Sequence, residues 1–554
     1  MLPVLVAVAV VTSLGAGAAA PAGTAGAGAG PPASSDEARI IDVYPNPPTH
    51  GDKGEFVRLW LPPGADLSEY ALADDQVTVP LATGENQAPP RPPPGGGSVT
   101  FSTHPNLTAA VTDRRVAPLS DRLQLANGGD HVRLLHNGTV VDDVSFDRAT
   151  EGEVYNATTG QWRSLGATDR PVVTAGSGEV EVFVLPDEPD RAIEALRSAD
   201  DRILLAGYTL SSRRVVDALL AADRRGVTVE VLVEDSPVGG MSERAAAALD
   251  DLVAAGIPVR VSGGQRARYR FHHAKYAVVD DRALVTTENW KPSGVGGRSS
   301  RGWAVLTDQE PIVEGLADTF RADAGWADAI PWNTVEDASV VEDEPADGEH
   351  PSNFDARSVP VQRTKLLVTP DNAEQELVAL LEGAEKSIAI KQVRIGSRDF
   401  RLLEAALDAA ERGVEVRILL SSAWYVREEN QQLATWLEEQ AETGELPLSV
   451  RLADPDGRFE KIHAKGLLVD GETVAVGSVN WNANSLRENR EVVLVLEGEA
   501  AAGYFGEVFD ADWTGGGGSN RPGSGHQLPL GLALACLAAA VLAILVAARL
   551  RFER

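Results

Sequence analysis

The chain repeats itself. "ADRRGVTVEVLV" at 222–233 returns as "AERGVEVRILL" at 410–420, with Gly226 matching Gly413. "FHHAKYAVVD" at 271–280 returns as "KIHAKGLLVD" at 461–470, about 190 residues on. An offset this constant across helix, strand and motif marks a duplicated domain, and it constrains the architecture more than any local propensity does. Within each copy, helical periodicity feeds short apolar strands, as in "IEALRSADDRILLAGYTL" and "RLLEAALDAAERGVEVRILLSS", so each copy is expected to be α/β. The expected bounds are 171–330 and 358–513. An acidic linker, 331–357, joins them, and its "TVEDASVVEDEPADGEHPS" carries no apolar period.

Ahead of the duplication, 36–168 has another texture. "RIIDVYPNP", "GEFVRLWLP", "HVRLLHNG" and "TVVDDVSF" are short strand patterns separated by Pro, Gly and Asn, which predicts a small β-sandwich. The early Asn-Pro, the "GEFVRLWLP" strand and the "LQLANGGDHV" turn resemble the lamin-tail domain family. That resemblance implies an immunoglobulin-like sandwich and no chemistry. Asn106, Asn137 and Asn156 stand in Asn-x-Thr sequons, which suits an external face.

Both ends carry membrane signals. Residues 1–20 are an apolar run ending in small residues, as in a signal peptide, and 21–35 read as a flexible lead. A Gly-rich stretch, 514–527, leads to 528–548, which holds no charged residue and is long enough to cross a bilayer. The tail, 549–554, contains Arg549, Arg551 and Arg554, so the rule that positive loops stay inside predicts a cell-membrane protein with the rest of the chain outside. The expected fold class is therefore multidomain: an N-terminal β-sandwich, two duplicated α/β halves and a C-terminal transmembrane helix.

Cys536 is the only cysteine, which excludes an intramolecular disulfide and a cysteine-built zinc site. Acidic residues outnumber basic ones 81 to 50, a net charge of −31, spread evenly as on a surface adapted to high salt. Such a chain is disfavoured as a general nucleic-acid binder, which needs broad basic surface. Locally, Arg266, Arg268 and Arg270 precede one motif, and Arg458 and Lys461 the other. They are expected to form basic rims that steer an anionic substrate.

The repeated motif carries the chemistry. Alternate side chains of a strand share a face, so His273 and Lys275 project together, as do His463 and Lys465. Asp280 and Asp470 close the strands, and "TTEN" (286–289) and "GSVN" (477–480) bring Asn289 and Asn480 back beside each His-Lys pair. A lysine and an amide suit phosphoryl oxygens. One histidine can attack phosphorus while a second protonates the leaving oxygen, so the reaction needs both copies of the motif. A metal is disfavoured by the neighbouring lysine and the lack of clustered carboxylates or thiolates.

His-x-Lys-x4-Asp followed by Gly-Ser-x-Asn resembles the signature of the phospholipase D superfamily, and the resemblance covers about 171–515. It implies two similar halves with the active site between them, a phosphohistidine intermediate, no metal or other cofactor, and hydrolysis or transfer of phosphodiesters. Carried over, His273 and His463 are nucleophile and acid/base, with His273 favoured as the attacking residue. Lys275, Lys465, Asn289, Asn480 and Ser478 match phosphate-binding positions, Asp280 and Asp470 the more structural aspartates, and Glu491 a carboxylate that supports a histidine. The first half departs from the pattern: Thr286 and Thr287 replace Gly-Ser, with Thr287 still offering a hydroxyl, and "SSRGWAV" has no glutamate where one could follow. The site is complete within one chain, so a monomer is expected. A membrane-anchored phosphodiester hydrolase points first to phospholipid head groups. An extracellular endonuclease acting on DNA and a non-catalytic surface binding protein are the alternatives.

Overall fold

The computed structural model describes residues 37–515, apart from 48, 50, 82–95, 113–115, 124, 265–266, 298, 336–339 and 343–349. The expected signal peptide, flexible lead, Cys536, membrane segment 528–548 and tail lie outside the described residues, as does nearly all of the Gly-rich stretch. Among the described residues, no helix is long and apolar enough to cross a membrane. The chain forms two compact units. Of the described residues, one takes in those up to Thr108, those of 116–151 and Tyr155–Gln161; the other takes in those of 109–112, Gly152–Val154 and those from Trp162 to Gly515.

The first unit is strand-rich, as its punctuation predicts. One sheet is built around Arg39–Tyr44, Phe56–Leu61 and Gly97–Ser102. A four-stranded sheet runs in the order Thr78–Pro80, Tyr70–Ala73, Asp130–His136, Thr139–Phe146. Val43, Val57, Leu59, Leu72, Val132 and Leu134 are wholly buried, which is the apolar alternation of the sequence turned inward.

The second unit contains the duplication, now visible as topology. In the first half, Val259–Ser262, Thr228–Glu234 and Arg202–Gly207 run parallel, followed across the sheet by antiparallel Tyr276–Val279, Arg282–Thr286, Ser300–Thr307 and Gly178–Leu185. The second half repeats this order with Leu448–Leu452, Glu415–Leu420, Ser387–Gln392, Gly466–Val469, Thr473–Gly477, Val492–Glu497 and Arg363–Val368. The matched helices Arg213–Arg224 and Arg401–Glu411 bury Val215, Val216 and Leu219, and Leu402, Leu403 and Ala406. Both stop at the matched glycines, Gly226 at φ +93° and Gly413 at φ +94°, the left-handed conformation that ends a helix at least cost without a Cβ.

The halves exchange edge strands. Val173–Ala175 pairs with Arg363–Val368 in the second sheet, and Arg357–Val361 pairs with Gly178–Leu185 in the first. The division therefore crosses the boundaries expected at 171 and 358. Within the expected linker, Val340–Val341 pairs with Met241–Ser242.

Candidate active site

Each motif enters its site by pairing with the opposite half. His272 bridges Arg490, and the His273 amide donates to the Arg490 carbonyl at 2.9 Å. Reciprocally, Lys461–Ile462 pairs with Ser300 and Arg301, and the His463 amide donates to the Arg301 carbonyl at 3.0 Å. The regular strands begin only at Tyr276 and Gly466, after the motif lysines. His-x-Lys is therefore the extended lead-in to a strand, not its first half, and its backbone is free to pair across the interface.

Two glutamates complete the exchange. The Nδ1 of His273 faces both oxygens of Glu491, at 2.9 and 2.8 Å, and the Nδ1 of His463 faces Glu288 at 3.2 Å. Each imidazole is thus oriented by a carboxylate from the other half. That contact fixes the Nδ1–H tautomer and leaves Nε2 with the lone pair. Burial pushes the His273 imidazole down to about 4, with Glu491 opposing and Lys275 adding to the shift. Burial and then Lys465 push His463 down to about 3, against Glu288. Burial alone would raise both glutamates, but the facing histidine, with Lys465 beside Glu288 and Lys275 beside Glu491, holds each below the usual carboxylate range.

The lysines are buried in the same cluster. Lys275 Nζ donates to the His273 carbonyl at 2.6 Å and Lys465 Nζ to the His463 carbonyl at 2.7 Å, and Lys465 also reaches the Thr287 carbonyl of the first half at 3.3 Å. Burial pulls both ammoniums down, Lys465 to about 8. Asn289 is buried, and its Oδ1 has no partner within the protein; Asn480 is half-buried. Buried polar atoms are seldom left unpaired, so the enclosed Asn289 amide is prepared for a further polar group.

The expected residues divide. His273, His463, Lys275, Lys465 and Glu491 meet in one charge cluster. Thr287 and Ser478 occupy equivalent places, and their hydroxyls accept the backbone amides of Trp303 at 3.0 Å and Val492 at 3.1 Å. Asp280 and Asp470 lie at the far ends of the strands, roughly 20 Å of extended chain beyond the histidines. Both take positive φ, 54° and 58°. The Asp280 carboxylate accepts the amides of Asp200, Asp201 and Arg202, and that of Asp470 accepts those of Glu385, Lys386 and Ser387. They pin loops and touch no part of the site. The expected basic rims are mostly interior: Arg268 pairs with Asp323 and Arg458 with Asp512, because those buried carboxylates need cations. Arg266 lies outside the described residues, while Arg270 and Lys461 remain near the surface.

Sequence reasoning missed two residues. Glu288 supplies the carboxylate that "SSRGWAV" lacks. It stands one residue before Asn289, and Gly302, in the place of Glu491, makes room for it: a Cβ at 302 would run into the Glu288 side chain. The Glu-Asn pair in "TTEN" is the signal that could have found it. Tyr208 carried no motif; its ring packs edge-on against His273, 4.5 Å between centroids, and its hydroxyl accepts the Val238 amide.

Residues 192–324 and 377–513 match the family described as Cardiolipin synthase, PLD-like domain. Each half thus contains a stretch similar to that phospholipase D-like domain. The match supports the phospholipase D superfamily, whose phospholipid-modifying members it describes. Cardiolipin synthase A of Citrobacter koseri is 35% identical over 109 residues, 20% of this chain and 21% of that protein. Cardiolipin synthase A of Yersinia pseudotuberculosis is 31% identical over 134 residues, 24% of this chain and 26% of that protein. The matched stretch thus spans about a fifth to a quarter of the length of these curated relatives. Among solved structures, a phosphatidylserine synthase of Haemophilus influenzae aligns with a TM-score of 0.46 at 16% identity, over 62% of this chain and 85% of that one.

Proposed function

We propose that the protein cleaves phosphodiesters of phospholipid head groups through a phosphohistidine, releasing the head-group alcohol to water or exchanging it for another alcohol. The observation that carries this reading is the reciprocal pairing of His273 with Glu491 and His463 with Glu288 in one buried cluster with two lysines. His273, held by both oxygens of its glutamate, is the nucleophile. Its Nε2 attacks phosphorus, the P–O bond to the alcohol breaks, and His463 gives that oxygen its proton. Water or a second alcohol then attacks phosphorus, the P–N bond breaks, and His463 takes the proton back. A phosphodiester anion entering between the lysines raises the His463 pKa from its depressed value, which favours the proton-bearing acid only once substrate is bound. Lys275, Lys465, Asn289 and Asn480 hold the phosphoryl oxygens. The similarity to cardiolipin synthases supports lipid as the substrate, and the net charge of −31 disfavours nucleic acid.

The test is turnover of phosphatidylglycerol vesicles by the full chain, with phosphatidic acid and cardiolipin read by mass spectrometry and supercoiled plasmid incubated in parallel. Lipid conversion is expected, falling about 10³-fold in His273→Ala and in His463→Ala. Plasmid nicking without lipid turnover, or undiminished activity in both variants, overturns the reading.

A further inference from the structure

The backbone that leads into His273 is held from two directions. The Phe271 carbonyl accepts the Arg490 amide at 3.0 Å and the His273 amide donates to the Arg490 carbonyl at 2.9 Å, so the second half grips both sides of His272. The His272 amide donates instead to Glu234 Oε2 at 2.7 Å. Glu234 ends the strand Thr228–Glu234 of the first-half sheet and is only 3% exposed. It therefore ties a ribbon that pairs across the interface back to the sheet of its own half. The His272 ring is buried as well, with Nε2 lying 3.5 Å from Asp323.

The second half shows what the carboxylate adds. Eight positions after the matched glycines, Gly226 and Gly413, stand Glu234 and Ser421. Ser421 has one side-chain oxygen, and it takes the Ala423 amide at 3.3 Å. Glu234 Oε1 takes the equivalent amide, of Ser236, at 3.0 Å and leaves Oε2 for the motif. Burying a carboxylate is unfavourable where a serine can hold the loop, so the bond to His272 is what the glutamate contributes. Tyr208 holds the same loop, since its hydroxyl accepts the Val238 amide, and its ring lies against His273. Glu234 and Tyr208 thus bear on consecutive motif residues. In the second half Val393 replaces Tyr208 and Ile462 replaces His272.

Burial pushes the Glu234 carboxyl up to about 7, against the two amides that favour its ionised form, and Asp235 and Asp328 add to the rise. Tyr208 flanks it, and Arg244, Lys291 and Glu342 line the same hollow. An ionised acceptor makes the stronger bond to an amide, so the hold on His272 tightens as pH rises through 7.

Resting on the phosphodiesterase reading above, we propose that Glu234 is a positioning residue for the attacking histidine: by taking the His272 amide it fixes the height at which Nε2 of His273 meets phosphorus. It touches no reacting atom and acts through the backbone of His272. The first half is thereby built as the attacking half.

The full chain is assayed on bis(p-nitrophenyl) phosphate, a soluble diester, from pH 5 to pH 7.5, beside Glu234→Gln, Glu234→Ser and Glu234→Asp. Wild-type kcat/KM, which reports groups of the free enzyme, is expected to fall about tenfold on acidification, with a midpoint near 7. The histidines, pushed down to about 4 and 3, titrate below this window, and any limb from the buried lysines is common to all four proteins. Glu234→Gln and Glu234→Ser should be about tenfold slower at pH 7.5, with KM within twofold. Both should lose the limb and meet the wild type at pH 5, whereas Glu234→Asp should keep it at a lower kcat. Glu234→Ser copies Ser421 and keeps the Ser236 bond, which guards against a loop that fails to fold, and each profile is a ratio within one preparation. A wild-type limb retained in the Gln and Ser variants, a kcat within twofold of wild type at pH 7.5, or a loss equal at both ends of the range overturns the positioning role while leaving the phosphodiesterase intact. If the wild type cleaves neither this diester nor phosphatidylglycerol vesicles, the phosphodiesterase reading itself fails and the positioning role with it.

Discussion

At the scale of the residue, the first half has kept a carboxylate by moving it. Glu288 and Gly302 are complementary, since the side chain of one fills the space that a Cβ on the other would need. Glu288→Gln should lower turnover about 10- to 100-fold, the range typical when the partner that orients a functional histidine is lost, and should shift the acid limb of the pH profile set by His463. Gly302→Glu alone should be worse, because two side chains then compete for one space. The double change Glu288→Val with Gly302→Glu, which copies the arrangement of the second half, should recover more activity than the two single effects predict when added. Kinetics and melting curves of the three variants check this coupling, and additive effects would refute the exchange. The site is otherwise largely legible in the sequence, because His-x-Lys and its following asparagine are local patterns. Glu288 and Tyr208 escape such a reading because their roles exist only across folded distances: 175 positions separate Glu288 from His463, and 65 separate Tyr208 from His273.

At the scale of the element, two helices hold the halves together through buried ions. Glu310–Ala324 carries Asp323, which pairs with Arg490 of the second half at 3.0 Å; Glu499–Gly515 carries Asp512, which pairs with Arg301 of the first at 3.0 Å. Arg490 and Arg301 also carry the carbonyls that receive the His273 and His463 amides, so these ion pairs fix the height at which each motif enters the site. Asp512 additionally pairs with Lys391 and Arg458. Asp512→Asn keeps the shape and strands buried cations, and should cost about 3–5 kcal/mol. Breaking the exposed Arg363–Glu497 pair should cost under about 1 kcal/mol. Urea titrations followed by tryptophan fluorescence separate the two, and equal losses would deny the helices this role. The duplicated α/β order is legible from periodicity and repeat. The edge-strand exchange is not, because Val173–Ala175 has only three residues and its partner is chosen by long-range packing rather than by local pattern.

At the scale of the whole molecule, this cluster makes stability depend on pH in a direction that can be derived. In the unfolded chain a histidine titrates near 6.5; in the folded protein His273 does so at about 4 and His463 at about 3. Between those values the unfolded chain binds protons that the folded protein does not, so stability rises with pH through the window. The contribution is complete above 6.5 and is lost on acidification, at roughly 1 kcal/mol per pH unit for each histidine. Glu288 and Glu491, held below the ordinary carboxylate range, act with the same sign further down: their contribution is present above that range and disappears as pH falls through their depressed values. The urea midpoint of the full chain should therefore decline steadily from pH 7 to pH 4. In His273→Asn with His463→Asn the side-chain amide can still donate to each glutamate but cannot titrate, so the slope between pH 6.5 and pH 4.5 should flatten. An unchanged slope would mean that the acid sensitivity comes from other carboxylates of this highly acidic chain, and that the two imidazoles are not held neutral at the meeting of the halves.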